Sequence, residues 1–169
     1  MNASTRGAQS ARIQLVTFRL GDDRFAVDIF VVERVLRFIP PRPIPNVPAW
    51  LEGVIDFGGK VVPVIDLRTR FELPVAASRE GARILVVGTG DDWMGAIVDA
   101  VEEVATVTDA QLEAPPPIFR GLARQYLKAL VRRGQGGDPP LVVLDVAQLL
   151  TARERIVLEQ AVAGAIANG

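Results

Sequence analysis

The 169-residue chain has 19 basic and 20 acidic residues and is 49% apolar, with a mean hydropathy of +0.26 and a pI near 5.5. Wholesale disorder and phosphate-dominated nucleic-acid binding are thereby excluded. The chain has no His and no Cys, which removes imidazole catalysis, thiol nucleophiles, disulfides and Cys/His metal centres.

Residues 1–12 are small and polar, as in a mobile tail. No segment has the uninterrupted apolar length of a membrane span, and the first residues lack a signal peptide's apolar stretch, so a soluble cytoplasmic product is expected. From Ile13 onward, short runs of Val, Ile and Phe are broken at regular spacing by Gly, Asp or Pro. They predict strands over 13–20, 24–29, 53–57, 61–65, 83–88, 93–99, 127–133 and 141–145, with a weaker one over 103–108. Gly21-Asp22-Asp23 and Gly90-Asp91-Asp92 read as hairpin turns. The proline-rich stretch 39–48 reads as a stiff connection, echoed by Pro115-Pro116-Pro117.

The echo belongs to an internal repeat. Residues 25–35 (FAVDIFVVERV) parallel 94–104 (MGAIVDAVEEV), and the hairpin pattern from Gly53 to Leu67 parallels that from Ala129 to Val146. Apolar runs close on Asp28 and Asp66 in one half and on Asp99 and Asp145 in the other. An Asp before a short amphipathic segment suits capping of exposed amides, and 29–36, 67–71 and 100–104 are such segments. Two β units of about 70 residues follow, each too small to stand alone, with the groove between them as the default binding site. From 147 to 167 the apolar spacing turns helical, which predicts a C-terminal helix packed on the β units.

The segments Val16-Thr-Phe-Arg-Leu-Gly-Asp-Asp-Arg-Phe-Ala-Val-Asp-Ile, Pro48-Ala-Trp-Leu-Glu-Gly-Val-Ile-Asp-Phe-Gly-Gly-Lys-Val-Val-Pro-Val-Ile-Asp-Leu-Arg and Gly95-Ala-Ile-Val-Asp-Ala-Val, in this order, resemble the CheW-like chemotaxis adaptor family over about residues 14–150. The resemblance implies a mainly β fold of two SH3-like five-stranded barrels related by an approximate two-fold. Short helical turns and the C-terminal helix complete it. The barrels are expected over about 13–75 and 82–146.

It further implies a non-enzymatic scaffold, without cofactor or metal, that couples chemoreceptor cytoplasmic tips to the regulatory domain of a histidine kinase and meets the membrane only through receptors. Val32 and Val35 match one wall of the family's receptor groove, and Val98 and Val104 the other. Gly53 and Gly59 match glycines flanking a hairpin. The chain departs from the family at Asp56-Phe57-Gly58-Gly59, where Asn-Leu-Arg-Gly is usual, and at Arg34, where Glu is common. These departures motivate a second reading, a diverged adaptor of another kinase pathway such as surface motility, and an expectation that Gly58→Arg alters receptor affinity far more than stability. A third reading, an enzyme built on Asp56, Asp66 and Asp145 with Mg²⁺, competes poorly because such aspartates stand where caps are wanted.

Overall fold

The computed structural model describes residues 11–88, 92–119, 122–132 and 139–168. The chain is mainly β, in two sheets. One has the order β8-β1-β2-β13-β12-β9, formed by β1 (Arg12–Leu20), β2 (Asp23–Asp28), β8 (Ala100–Thr108), β9 (Leu112–Glu113), β12 (Leu127–Val131) and β13 (Leu141–Leu144). The other has the order β3-β6-β7-β5-β4, formed by β3 (Val32–Arg37), β4 (Leu51–Phe57), β5 (Lys60–Asp66), β6 (Arg83–Gly88) and β7 (Trp93–Val98). A small hairpin pairs β10 (Ile118–Phe119) with β11 (Leu122–Ala123).

Each sheet curls until its two edges are joined by a short run of chain. In the six-stranded sheet the edges β8 and β9 are consecutive strands separated only by the turn Asp109–Gln111. In the five-stranded sheet the chain leaving β3 donates from Phe38 N–H to the Ala82 carbonyl (3.2 Å). It then pairs Arg42 with Val54 of β4 through two hydrogen bonds of 2.8 and 3.0 Å. That pairing needs Gly53, where φ is +149° and a Cβ would sit 2.2 Å from the Arg42 carbonyl oxygen.

The two strand orders are the same once repeat-related strands are matched: β1-β2 with β6-β7, β3 with β8, and β4-β5 with β12-β13. Both sheets place their one parallel pair at the same point, β2 beside β13 and β7 beside β5. The expected division at 13–75 and 82–146 is therefore corrected. Each half lends its first hairpin to the other half's barrel, because the chain leaving β2 and β7 crosses over to pair β3 with β6 and β8 with β1.

Burial explains why the strands read as continuous apolar runs. Alternate residues enter different cores: Phe25 and Val27 face a large core between the barrels while Ala26 faces the six-stranded barrel's interior. Leu85, Val87, Met94 and Ala96 likewise face the shared core, and Ile84, Val86 and Ile97 the five-stranded barrel's interior.

The helix α1 (Leu67–Arg70) follows β5, and α2 (Ala152–Asn168) closes the chain. Strand β3 and the start of β8 replace the short amphipathic segments expected over 29–36 and 100–104, of which only the single turn Ile29–Val31 is helical. The Gly21-Asp22 turn links β1 and β2, with Gly21 at φ +62°. Residues 1–10 and the turn expected at Gly90-Asp91 lie outside the described residues.

Candidate functional site: an inter-barrel groove and a barrel mouth

Strands β3 and β8 carry the same irregularity. Val32 pairs with Val87 and Val35 with Leu85, so Glu33 and Arg34 together oppose Val86 alone. Val101 pairs with Phe18 and Val104 with Val16, so Glu102 and Glu103 together oppose Thr17 alone. The Thr17 hydroxyl fills the second bulge, donating to the Glu103 carbonyl (2.7 Å) and accepting from its N–H (3.0 Å). An extra residue reverses the facing of everything beyond it. Valines three apart therefore share one face, the face of the core between the barrels.

Val32 and Val101 pack partly against that core, while Val35 and Val104 are 38% and 51% exposed. Two repeat-related strand faces result, each pairing a half-buried valine with an exposed one. Val101 was missed from sequence. Val98, assigned to the same wall as Val104, is instead fully buried at the end of β7, because strand alternation turns it into the shared core.

The remaining expected site residues lie elsewhere. Gly53 is buried and serves the chain's own Arg42, not a partner. Arg34 pairs with Val86 beyond the bulge and so faces the mouth of the five-stranded barrel, not the groove. There its guanidinium lies 5.9 Å from the Phe57 ring centre, Phe57 meets Trp93 at 5.3 Å between centroids, and Lys60 Nζ lies 4.8 Å from the Trp93 ring.

Gly58 and Gly59, at φ +59° and +77°, make the two-residue turn between Phe57 and Lys60, a geometry of the type I′ hairpin. A Cβ on Gly58 would come within 3.1 Å of the Trp93 ring. Gly58→Arg, expected to alter receptor affinity far more than stability, would also meet resistance in the fold, for both the backbone and Trp93 oppose a side chain there. Asp56 is exposed on β4, on the opposite face from Phe57.

Three of the four aspartates accept from the amide two residues on, each at the start of a helical turn: Asp28 from Phe30 (2.9 Å), Asp66 from Arg68 (2.9 Å) and Asp145 from Ala147 (3.1 Å). Asp66 also pairs with Arg79 at 3.0 Å. Asp99 is no cap, because a strand follows it. Its carboxylate takes a paired contact from the Arg68 guanidinium and accepts from Gly21 N–H at 2.6 Å, tying α1 to the β1–β2 turn. Burial works against this charge, but the Arg68 and Gly21 hydrogen bonds prevail and hold the carboxyl below its ordinary value. Among the described residues no three carboxylates gather in a way that could hold a metal ion.

Helix α2 is fixed at its first turn. Thr151 and Glu154 exchange backbone-to-side-chain hydrogen bonds of 2.8 and 3.1 Å. Arg70 grips Glu154 through two bonds of 2.6 and 2.7 Å while donating to the Leu149 carbonyl and lying over Trp50. Beyond that turn the helix covers a cavity of about 270 Å³ lined by Val62, Met94, Leu158 and Val162.

Comparison with known proteins gives a consistent picture. Residues 14–154 match the model of the CheW-like domain. The chemotaxis protein CheW of Treponema pallidum is 31% identical over 147 residues, covering 85% of each chain. The protein FrzA of Myxococcus xanthus is 32% identical over 141 residues, covering 83% of this chain and 87% of that one. Among solved structures, the scaffolding protein TtCheW from Thermoanaerobacter tengcongensis superposes with a TM-score of 0.77 at 27% identity, covering 87% of this chain and 93% of that one.

Proposed function

Because this chain belongs to the CheW-like family of non-enzymatic chemotaxis adaptors, we propose that it couples the cytoplasmic tips of chemoreceptors to the regulatory domain of a histidine kinase by protein contact alone. The observation that carries this reading is the pair of repeat-related strand faces, Val32 with Val35 and Val101 with Val104, which leave exposed valines beside the core shared by both barrels. Apolar side chains of a receptor tip lodge between them. Interfaces of this transient kind bury about 800 Å² per partner or less. Holding two partners in fixed geometry lets a small receptor movement shift the kinase between states it already samples.

No described helix is long and apolar enough to cross a membrane. In this reading the chain works on the cytoplasmic side and reaches membrane arrays through its receptors.

The test is binding of the full chain to receptor cytoplasmic fragments and, separately, to the kinase regulatory domain. Val35→Asp and Val104→Asp place a charge on an already exposed position. Each is expected to weaken receptor binding about tenfold or more, with the melting temperature and kinase binding unchanged. Absence of a complex with both partners overturns the reading.

A further inference from the structure

The cavity of about 270 Å³ beneath α2 lies apart from the valine faces of β3 and β8. Its inner wall continues the core between the barrels, since Met94, Val146, Leu150 and Leu158 belong to both. Its floor is β5, which pairs with β4 on one side and β7 on the other, so no main-chain edge is left there for an added strand.

The roof is α2. Arg70 and Thr151 anchor its first turn, and Leu158 is buried one turn further on. From there to Ala167 no residue is buried, and Ile166, which lines the cavity, is 60% exposed. Residues 161, 163, 165 and 167 are Ala and 164 is Gly, which leaves Val162 and Ile166 as the long apolar side chains of that half. The helix is thus held at one end and lacks the bulk to fill the space beneath the other. A space of this size within a close-packed molecule forgoes contacts on every wall, contacts that a fitting molecule restores.

The lining decides what fits. Pro63, Met94, Leu158 and Val162 make the walls apolar, while the charged groups, Lys60, Asp92, Arg155 and Glu159, number two of each sign and so favour no net charge in a ligand. Lys60 lies over Trp93, and Arg155 donates to the Ala147 carbonyl. Among the described residues no buried side-chain polar atom lacks a hydrogen-bond partner, so no side chain inside waits for a hydrogen bond from a ligand.

We infer that this cavity is a binding site for a small, uncharged, apolar molecule, held by burial between α2 and β5, and that its occupancy settles the second half of α2 on the five-stranded barrel.

The test uses the full chain and two fluorescent probes with the same ring body: uncharged N-phenyl-1-naphthylamine, and anilinonaphthalene sulfonate, which adds a negative charge. Amide exchange locates the bound probe. The uncharged probe is expected to bind saturably, about tenfold or more tighter than the sulfonate, and to slow exchange over 158–167. Val162→Phe, which fills the cavity from its roof, should weaken that binding about tenfold or more. Ile156→Phe adds a ring to an exposed position of α2 outside the lining and should leave binding unchanged. Melting temperatures serve as folding controls for both variants.

The inference is overturned if the uncharged probe does not bind saturably, if folded Val162→Phe binds it equally well, or if protection falls on β3 and β8 instead of α2. Tighter binding of the sulfonate overturns the uncharged class. Protection of 158–167 that rises with protein concentration in the absence of probe makes a second copy of the chain the occupant and overturns it too. Should Val162→Phe fail to fold, the exchange pattern of the wild-type chain decides.

Discussion

Three glycines sit where an added side chain would be opposed, for different reasons. Gly53 allows the Arg42 carbonyl to approach β4, so it is a condition of barrel closure. Gly58 serves a left-handed turn under Trp93. Gly95 has an ordinary strand backbone, but a Cβ there would meet Ile84 Cγ2 at 2.9 Å and Val64 Cγ2 at 3.2 Å inside the five-stranded barrel. Gly95→Val is therefore expected to destabilise the fold by about 1–3 kcal/mol through overpacking, and Gly53→Ala by about 2–4 kcal/mol because it opens the barrel seam. Denaturant midpoints at constant m-value would measure both, and an unchanged midpoint for Gly53→Ala would show that the Arg42 pairing is dispensable. From sequence, Gly53 and Gly59 read only as hairpin glycines, since nothing local announces that the 39–48 segment folds back onto Val54.

Among the elements, β3 and β8 show where the sequence was ambiguous. Valines at 32 and 35, and again at 101 and 104, have a spacing that suits one face of a helical turn. A bulged strand produces the same spacing, because one extra residue turns a period of two into a step of three. The two patterns cannot be told apart without knowing that Val86 and Thr17 each face two residues. Strands β1, β2, β5, β6 and β7, which alternate regularly or are buried on both sides, were legible within a residue or two at each end. The two-residue strands β9, β10 and β11 carry too little pattern to be read at all.

Helix α2 was also legible, yet its attachment was not, since Arg70 and Glu154 are far apart in the chain. Burial opposes the Glu154 charge, but the hydrogen bonds from Arg70 and Thr151 outweigh it and lower the pKa below the ordinary 4.5. A carboxyl with a depressed folded-state pKa stabilises fully above its unfolded value and loses that contribution as the pH falls through the folded one. The first turn of α2 should therefore loosen as the pH falls below 4.5, and Asp99 should release Arg68 in the acid range below its own ordinary 3.8. Glu154→Gln should reproduce the first effect at neutral pH, costing about 1–2 kcal/mol and speeding amide exchange through α2. If exchange in α2 is the same in variant and parent, the Arg70 grip does not hold the helix.

At the scale of the whole molecule, the repeat was readable as a pattern of strands and closing aspartates that gives two β units, while their form as two barrels was implied by the family resemblance. The exchange of hairpins was not. Which barrel a hairpin joins depends on pairing between residues far apart in the chain, such as Leu15 with Ala105 or Val35 with Leu85, and local pattern carries no record of it. The exchange makes the barrels inseparable: each consists of strands from both halves, and the largest core lies between them. Unfolding by heat or denaturant should thus be a single cooperative transition with coincident fluorescence and circular-dichroism curves. Two separated transitions, one per barrel, would contradict it.

The same exchange describes how such a molecule can arise and what it then gains. Two identical chains of half this length, each lending its first hairpin to the other, would close into a symmetric dimer with this strand order and with two equal groove walls. Symmetry would force the same residues onto both barrels. Joined in one chain, the halves are free to differ, and they do: Arg34 in one bulge answers to Glu103 in the other, and among the described residues the cation-and-ring row is seen on the five-stranded barrel. A dimer could offer its partners only duplicates of a single face, whereas this chain gives its molecule a head and a tail, the polarity that ordered placement in a larger assembly requires.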